Sequence, residues 1–248
     1  MKPQIASFIP CSALSNCSLF LLGFPSFRKT ILHQYFYLCY NMLDLLYLYL
    51  RRFVEISAEE FAVLGKYIEI RHFNKKVKLL NIGEREGYVN FIVKGLVRKF
   101  FYRHKEEVVT QIAKEGELIC SSVSFLSGVV SDYVVETVEV TTVFSISVQN
   151  IEKIYEMGHK MQRMGRLVII DWLLQKEYWE HERIKLDPKQ RFLKFINGNP
   201  DLLIRVPQKY LASYLNIKPE TFSRYKHLLI QRPVNNQQKT SKALINDD

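Results

Sequence analysis

Cysteine is scarce in this chain, and its spacing rules out the usual metal and disulfide chemistry. Four of the 248 residues are cysteine: Cys11, Cys17, Cys39 and Cys120. None forms a Cys-x-x-Cys pair, so zinc-type and thioredoxin-type sites are excluded. So few thiols in so long a chain also exclude a disulfide framework. The sequence has no glycine-rich phosphate loop, no metal-ligand motif and no nucleophile–base–acid constellation. An enzyme is therefore not expected, and neither is a cofactor or metal. His181 stands four residues after Glu177, but the surrounding Glu180 and Glu182 read as a salt-linked, solvated helix end. Charge is missing altogether from residues 3–27. Pro10, Pro25 and scattered Ser and Asn break that stretch, which makes it a poor membrane span. Lacking a basic n-region beyond Lys2 and a continuous apolar core, it is also a poor signal peptide.

The N-terminal segment differs in character from the remainder of the chain. Residues 30–50 are rich in aromatics and carry Asp44 as their one acidic residue. One reading is a membrane tether through residues 1–50 on a sensor or scaffold module that recruits a protein partner. A second reading fits the pattern better. From Met42 onward the chain becomes ordinary amphipathic protein, and Ser57-Ala-Glu-Glu60 is a capping box that opens a helix. Met42 is then the true start and residues 1–41 are an upstream mistranslation.

Enough apolar residues (48%) and few enough charges (24%) are present to build a core and to exclude disorder. The net charge of +10 points toward nucleic acid or an anionic surface. It is unevenly spread. Residues 202–248 hold eight basic side chains against three acidic ones, half of the excess in a fifth of the chain. A polyanion would dock at this end.

Residues 72–148 read as short strands with turn punctuation. The runs are Val77–Leu80, Tyr88–Val93, Leu96–Tyr102, Glu107–Ile112, Tyr133–Val140 and Val143–Val148. Turns fall at Ile82-Gly83-Glu84, Lys94-Gly95 and Lys114-Glu115-Gly116, and Gly95 reads as a positive-φ residue or a bulge. Many short strands at this spacing predict a barrel or double-sheet roll. A helical stretch runs from Gln149 to Ile184, interrupted near Gly158. Met161, Met164, Leu167, Val168 and Leu174 mark one apolar face, and Ile169, Trp172 and Leu173 mark another. Such a helix is buried on two sides, one against the roll and one against a partner.

Asp187-Pro188 is an N-cap with proline at the first helical position, opening a helix that ends at Asn197-Gly-Asn-Pro200. The next segment is VPQKYLASYLNIKPETFSRYKHLL. Pro207 starts one helix with Tyr210, Leu211 and Leu215 inward. Ala212 is small where a second helix would cross. Asn216 takes a left-handed turn position, and Ile217 plugs the turn. Pro219 starts the second helix with Phe222, Leu228 and Leu229 inward. This is a helix-turn-helix pattern. The stretch IKPETFSRYKH then reads as a helix that places its polar residues in a DNA groove.

The runs NKKVKLLNIGE, YVNFIVKGLVRKFFY and TQIAKEGELI, succeeded in order by the long helix and the helix pair, resemble the Crp/Fnr transcription regulators over roughly residues 44–230. The resemblance implies an α+β chain: an antiparallel, cyclic-nucleotide-binding-like β-roll joined by a long dimerisation helix to a small helix-turn-helix domain. The implied divisions are residues 1–41 as a doubtful leader, 42–156 as the roll, 157–186 as the dimerisation helix and 187–248 as the DNA-binding domain. It implies a cytoplasmic homodimer bound to double-stranded DNA at a two-fold symmetric site, with RNA polymerase as a further partner. By motif position Glu220 and Arg224 face base edges, while Gln208, Lys209, Lys218 and Thr221 face the phosphate backbone. Pro219 stands where many relatives carry arginine, so the target sequence differs. The family's wing is absent or replaced by a basic tail, because Gln231 to Thr240 is polar and poor in β-formers.

The resemblance also locates a degenerate effector pocket at Gly116, Glu117, Cys120, Ser121, Ser131 and Asp132. Relatives that bind cyclic AMP carry Gly-Glu and Arg-Ser/Thr-Ala there. This chain has Cys120-Ser121 and Ser131-Asp132-Tyr133, so both charged ligands are missing and Asp132 would repel a phosphate. Cyclic AMP is not expected, and the effector is not legible. Some relatives hold an iron–sulfur cluster on N-terminal cysteines plus one in the roll. The spacing here is not that of a cluster, and Cys120 reads as a small buried hydrophobe.

Overall fold

The computed structural model describes residues 43–230, and side chains up to His227. The leader, its three cysteines, the inward placement of Leu228 and Leu229, and the tail or wing beyond Ile230 lie outside the described residues. The chain divides into two compact units, one ending at Trp179 and one beginning at Glu180.

The first unit opens with helix α1 (43–51) and helix α2 (Ala58–Gly65). The capping box is present: Glu60 N–H donates to Ser57 Oγ at 3.2 Å, and Ser57 N–H donates to Glu60 Oε2 at 2.9 Å. Eight strands come next: β1 (Glu69–Phe73), β2 (Lys78–Leu80), β3 (Tyr88–Lys94), β4 (Val97–Arg103), β5 (Glu106–Ala113), β6 (Leu118–Ile119), β7 (Val134–Thr137) and β8 (Thr141–Ser147). They form two four-stranded antiparallel sheets in the orders β1-β8-β3-β6 and β2-β7-β4-β5. A short helix α3 (Ser122–Ser127) sits between β6 and β7. This is the expected double-sheet roll.

Two-residue periodicity sorts the side chains. Ile92 and Val143 point between the sheets and join Leu80, Val97, Ala113, Ile119 and Val135 in a closed core. Their sequence neighbours Phe91, Val93 and Phe144 point the other way, onto Leu46 and Ile68. A third cluster joins α2 to the helices after the roll, through Leu64, Ile154, Met161 and Met164. Gly95 has φ +102°, and the β3–β8 register shifts beside it. A Cβ there would lie 2.6 Å from both Val140 O and Thr141 Oγ1, so only glycine fits.

Sequence periodicity missed three elements here, and each omission has a physical reason. Strand β1 is an edge strand with no alternation of burial, held by backbone pairing to β8. Strand β6 is two residues long, and α3 is a six-residue run of Ser, Val, Phe and Leu with weak helix propensity. Strand β7 is shorter than the expected Tyr133–Val140: it ends at Thr137, and Val138 adds one last bond in the same register, its N–H donating to Leu96 O at 2.7 Å.

Helix α4 (Val148–Glu156) and helix α5 (His159–Lys185) are separated at Gly158, φ +127°. Along α5, Met161 and Met164 are buried, whereas Leu173 (56%), Leu174 (47%) and Tyr178 (67%) are exposed. Leu174 therefore does not share the buried methionine face to which the sequence assigned it. Among the described residues, no helix is long and apolar enough to cross a membrane.

The second unit contains helix α6 (Pro188–Gly198), capped by Asp187, a one-turn helix α7 (Leu202–Arg205), and helices α8 (Gln208–Tyr214) and α9 (Pro219–Ile230). Helix α7 is the unforeseen element. It buries Leu202, with Val206 just beyond it.

One buried charge stabilises the second sheet. Arg98 on β4 is 1% exposed and holds Glu107 at 2.7 Å and Glu136 at 2.8 Å, with its guanidinium 4.0 Å from the Phe100 ring centroid. Arg98→Ala removes the guanidinium that both carboxylates share and should cost about 3 kcal/mol. Urea unfolding measures this, and a loss below about 1 kcal/mol would show that the carboxylates rehydrate freely.

Candidate functional site

The helix pair α8–α9 is built around a turn that the sequence specifies locally. Asn216 has φ +51° just past the end of α8. Ile217 N–H donates to Ala212 O at 2.9 Å and Asn216 N–H to Ser213 O at 3.0 Å, the paired bonds of a Schellman motif. Asparagine tolerates this conformation better than other non-glycine residues. Leu211, Ala212, Leu215, Ile217 and Phe222 are all buried. Tyr210, expected inward, is half-buried, and Lys209 Nζ lies 4.9 Å from its ring centroid.

Helix α6 anchors this turn from behind. Phe192 meets Phe222 edge-on at 5.0 Å between centroids and Tyr225 at 5.5 Å. Arg191 is 6% exposed and donates to four backbone carbonyls. Two are the orphan carbonyls at the turn, Leu215 O at 2.7 Å and Asn216 O at 3.4 Å. The others are Arg183 O and, at 3.0 Å, Leu186 O, at the end of α5. Burial pulls the Arg191 guanidinium below its ordinary pKa. Its positive charge complements the carbonyl ends of two helices.

With Phe222 locked inward, α9 presents Glu220, Arg224 and His227 as an exposed stripe at helical spacing. Lys209 and Lys218 are exposed, and Thr221 is half-buried. Gln208 spans the pair, its Nε2 donating to Pro219 O at 3.4 Å. The six residues expected at a DNA surface are therefore all carried by this one helix pair, and Gln208 also ties its two helices together.

The roll holds a second polar cluster. Ser121 and Ser131 are buried and joined Oγ to Oγ at 2.8 Å. Lys99 reaches in from β4, is 5% exposed, and donates to Cys120 O at 3.2 Å. Burial, reinforced by the neighbouring Lys176 ammonium, pushes the Lys99 pKa down to about 8. Glu86 is also buried and accepts from Ser121 N–H at 3.0 Å and Tyr88 N–H at 3.2 Å. Burial raises its pKa. Lys176 on α5 donates to Ser122 Oγ at 2.7 Å. Cys120 is fully buried, and burial pushes its thiol up to about 12, so it is not a reactive thiolate.

No protein-family model and no curated protein sequence matches the chain. Solved structures do match. FixK2 from Bradyrhizobium japonicum superposes with a TM-score of 0.58 at 17% identity, over 66% of this chain and 84% of that one. The c-di-GMP responsive global regulator CLP of Xanthomonas campestris gives 0.53 at 14% identity, over 68% and 88%. A Crp/Fnr-family protein from Eubacterium rectale gives 0.54 at 10% identity, over 71% and 84%. The chain has the Crp/Fnr fold.

Within the Crp/Fnr fold, the residues expected at the effector pocket separate. Cys120, Ser121 and Ser131 come together inside the roll. Gly116 and Glu117 form the β5–β6 turn instead: Gly116 N–H donates to Ile92 O and Glu117 O accepts from Ile92 N–H, each at 2.9 Å. Asp132 is exposed, so the repulsion expected from it inside the pocket does not arise. The charges that do face this cluster, Lys99, Glu86 and Lys176, come from β4, the loop before β3, and α5. Sequence reading missed them because they are distant in the chain. A signal existed for Lys99, a lysine in the middle of the strand VRKFF between residues that must be buried.

Lys99 generates a pH prediction. Its folded pKa lies below its unfolded value, so between about pH 8 and 10 the unfolded chain binds the extra proton and this residue's contribution to stability rises with pH. Lys99→Met removes that titration. Its melting temperature should exceed that of the unsubstituted protein by more at pH 7 than at pH 9. A difference that stays constant across this range would show that Lys99 is not desolvated.

Proposed function

We propose that the chain is a sequence-specific, DNA-binding transcription regulator of Crp/Fnr type, acting as a cytoplasmic homodimer. The observation that carries this reading is the Glu220–Arg224–His227 stripe on α9, exposed on the side opposite the locked Phe222. A helix held rigidly by one face, with polar and charged side chains on the other, matches the requirements of major-groove insertion. Arg224 is suited to grip guanine O6 and N7, and Glu220 to accept from cytosine N4. Lys209, Lys218, Thr221 and Gln208 would then position the domain on phosphates. Residues 187–248 form the DNA-binding domain, and 42–156 the roll.

The dimer reading rests on α5. Ile170, Leu173, Leu174 and Tyr178 are exposed at spacings of three and four residues, an apolar seam on a helix whose other side is already packed. Residues 157–186 would pair with the same helix of a second copy, and a dimer suits a two-fold symmetric site whose half-sites are about one DNA turn apart. RNA polymerase is the further partner that this role implies. Cyclic AMP is not the effector in this reading, because Ser121 stands where the ribose-binding carboxylate is needed and Ser131-Asp132-Tyr133 supplies no guanidinium for the phosphate.

Selection of bound duplexes from a random pool should return a two-fold symmetric motif. Arg224→Ala should relax base preference at one position per half-site and cost about 1–3 kcal/mol on the selected site. Lys209→Ala should instead weaken all duplexes alike and flatten the salt dependence. Salt-sensitive binding without a motif would refute base reading. Leu173→Glu combined with Leu174→Glu should shift the protein from dimer to monomer in sedimentation, and an unchanged dimer would place the interface elsewhere.

A further inference from the structure

A cavity of about 280 Å³ lies outside the roll, between the β1-β8-β3-β6 sheet and helices α1 to α5. It is distinct from the Lys99–Glu86 cluster, none of whose residues lines it. Its walls are almost wholly apolar, with Leu46, Phe91, Phe125, Val168 and Trp172 among them. Protein interiors normally close such spaces to crystal-like density, and the cost of leaving one empty grows with its volume. Apolar cavities stay dry and accept apolar guests. The mouth is within reach of solvent, since Leu126 (60%) and Ile169 (39%) line it and are exposed.

The shape of one wall is maintained at some cost to the helix that forms it. Gly165 lies inside the second turn of α5, where alanine would have the higher helix propensity. A Cβ at Gly165 would lie 2.3–2.6 Å from the Tyr155 ring. The glycine therefore lets the Tyr155 ring press against the α5 backbone at the cavity wall. The polar side-chain groups among the lining residues are the Tyr49 and Tyr155 phenols, the Trp172 indole N–H and the exposed Glu152 carboxylate, and no lysine or arginine lines it. An anionic head group would find no cation on the lining and would meet Glu152; Arg52, 5.4 Å from the Tyr49 ring centroid, is already paired with Asp171 at 3.5 Å.

We infer that this cavity binds an uncharged, largely apolar small molecule, of the size of a medium-chain alcohol or a fused aromatic pair, with at most one hydrogen-bonding end directed at a phenol. The volume lies just below the usual range of ligand pockets, roughly 300–1,000 Å³, which suits a small guest. The inference does not depend on DNA binding, so the two readings can fail separately.

The test is a fluorescence titration of the full chain with the neutral probe N-phenyl-1-naphthylamine, then competition with 1-decanol and with decanoate. Saturable binding at one site per chain is expected, with decanol displacing the probe at least about tenfold more effectively than decanoate. Val168→Trp fills the space and should abolish the signal. Gly165→Ala provides a second variant, which should weaken probe binding by pushing the Tyr155 ring off the α5 backbone. Equal displacement by decanol and decanoate would overturn the neutral-ligand assignment. Unchanged binding in both variants would place the probe elsewhere and overturn the site. Binding that appears only after residues 1–41 are removed would assign the space to the chain's own leader and overturn the proposal.

Discussion

The buried guanidinium of Arg191 is the contact on which the C-terminal unit depends. A helix end leaves its last carbonyls without intrahelical partners, and a turn that buries such groups must supply donors. Arg191 supplies them to two elements at once, the end of α5 and the turn between α8 and α9. Its geometry suits the task, because the planar guanidinium spreads five donors in a fixed fork. Lysine could reach one or two of these carbonyls but not all four. The position of α9 relative to α6 is then settled by Phe192, whose ring meets Phe222 and Tyr225.

The same logic, with different chemistry, organises the roll. Arg98 is compensated by two carboxylates on flanking strands, so its burial ties β4 to both β5 and β7. Lys99, its neighbour on the opposite face, has a carbonyl and a distant carboxylate instead. One cation is therefore fully compensated, while the next is held with its charge weakened. Strand alternation makes this contrast unavoidable, since adjacent residues on β4 face different surroundings.

The two units use the same helix differently. The early part of α5 buries Met161 and Met164 against α2 and α4. Its middle exposes Ile170, Leu173, Leu174 and Tyr178. Its end supplies carbonyls to Arg191. Hydrophobic patterning alone treats these three stretches alike, which is why Leu174 was assigned to the packed face and stands in solvent.

Features that depend on neighbours in the chain are legible in the sequence. The Ser57–Glu60 and Asp187 caps, the glycine turns, the strands with clear alternation and the Asn216–Ile217 turn all involve groups within about six residues of one another. So does the spacing that sets Glu220 and Arg224 on one face of α9 while Phe222 turns inward. Tertiary structure decided what depends on distant segments. Strand β1 is a strand only because β8 lies beside it. Asp132 faces solvent because Ser131 turns in to Ser121. Lys99, Glu86 and Lys176 meet only once β4, the loop before β3 and α5 are packed together. Local energetics can be read along a chain, but burial, which sets the cost of a charge and the shape of a cavity, belongs to the folded whole.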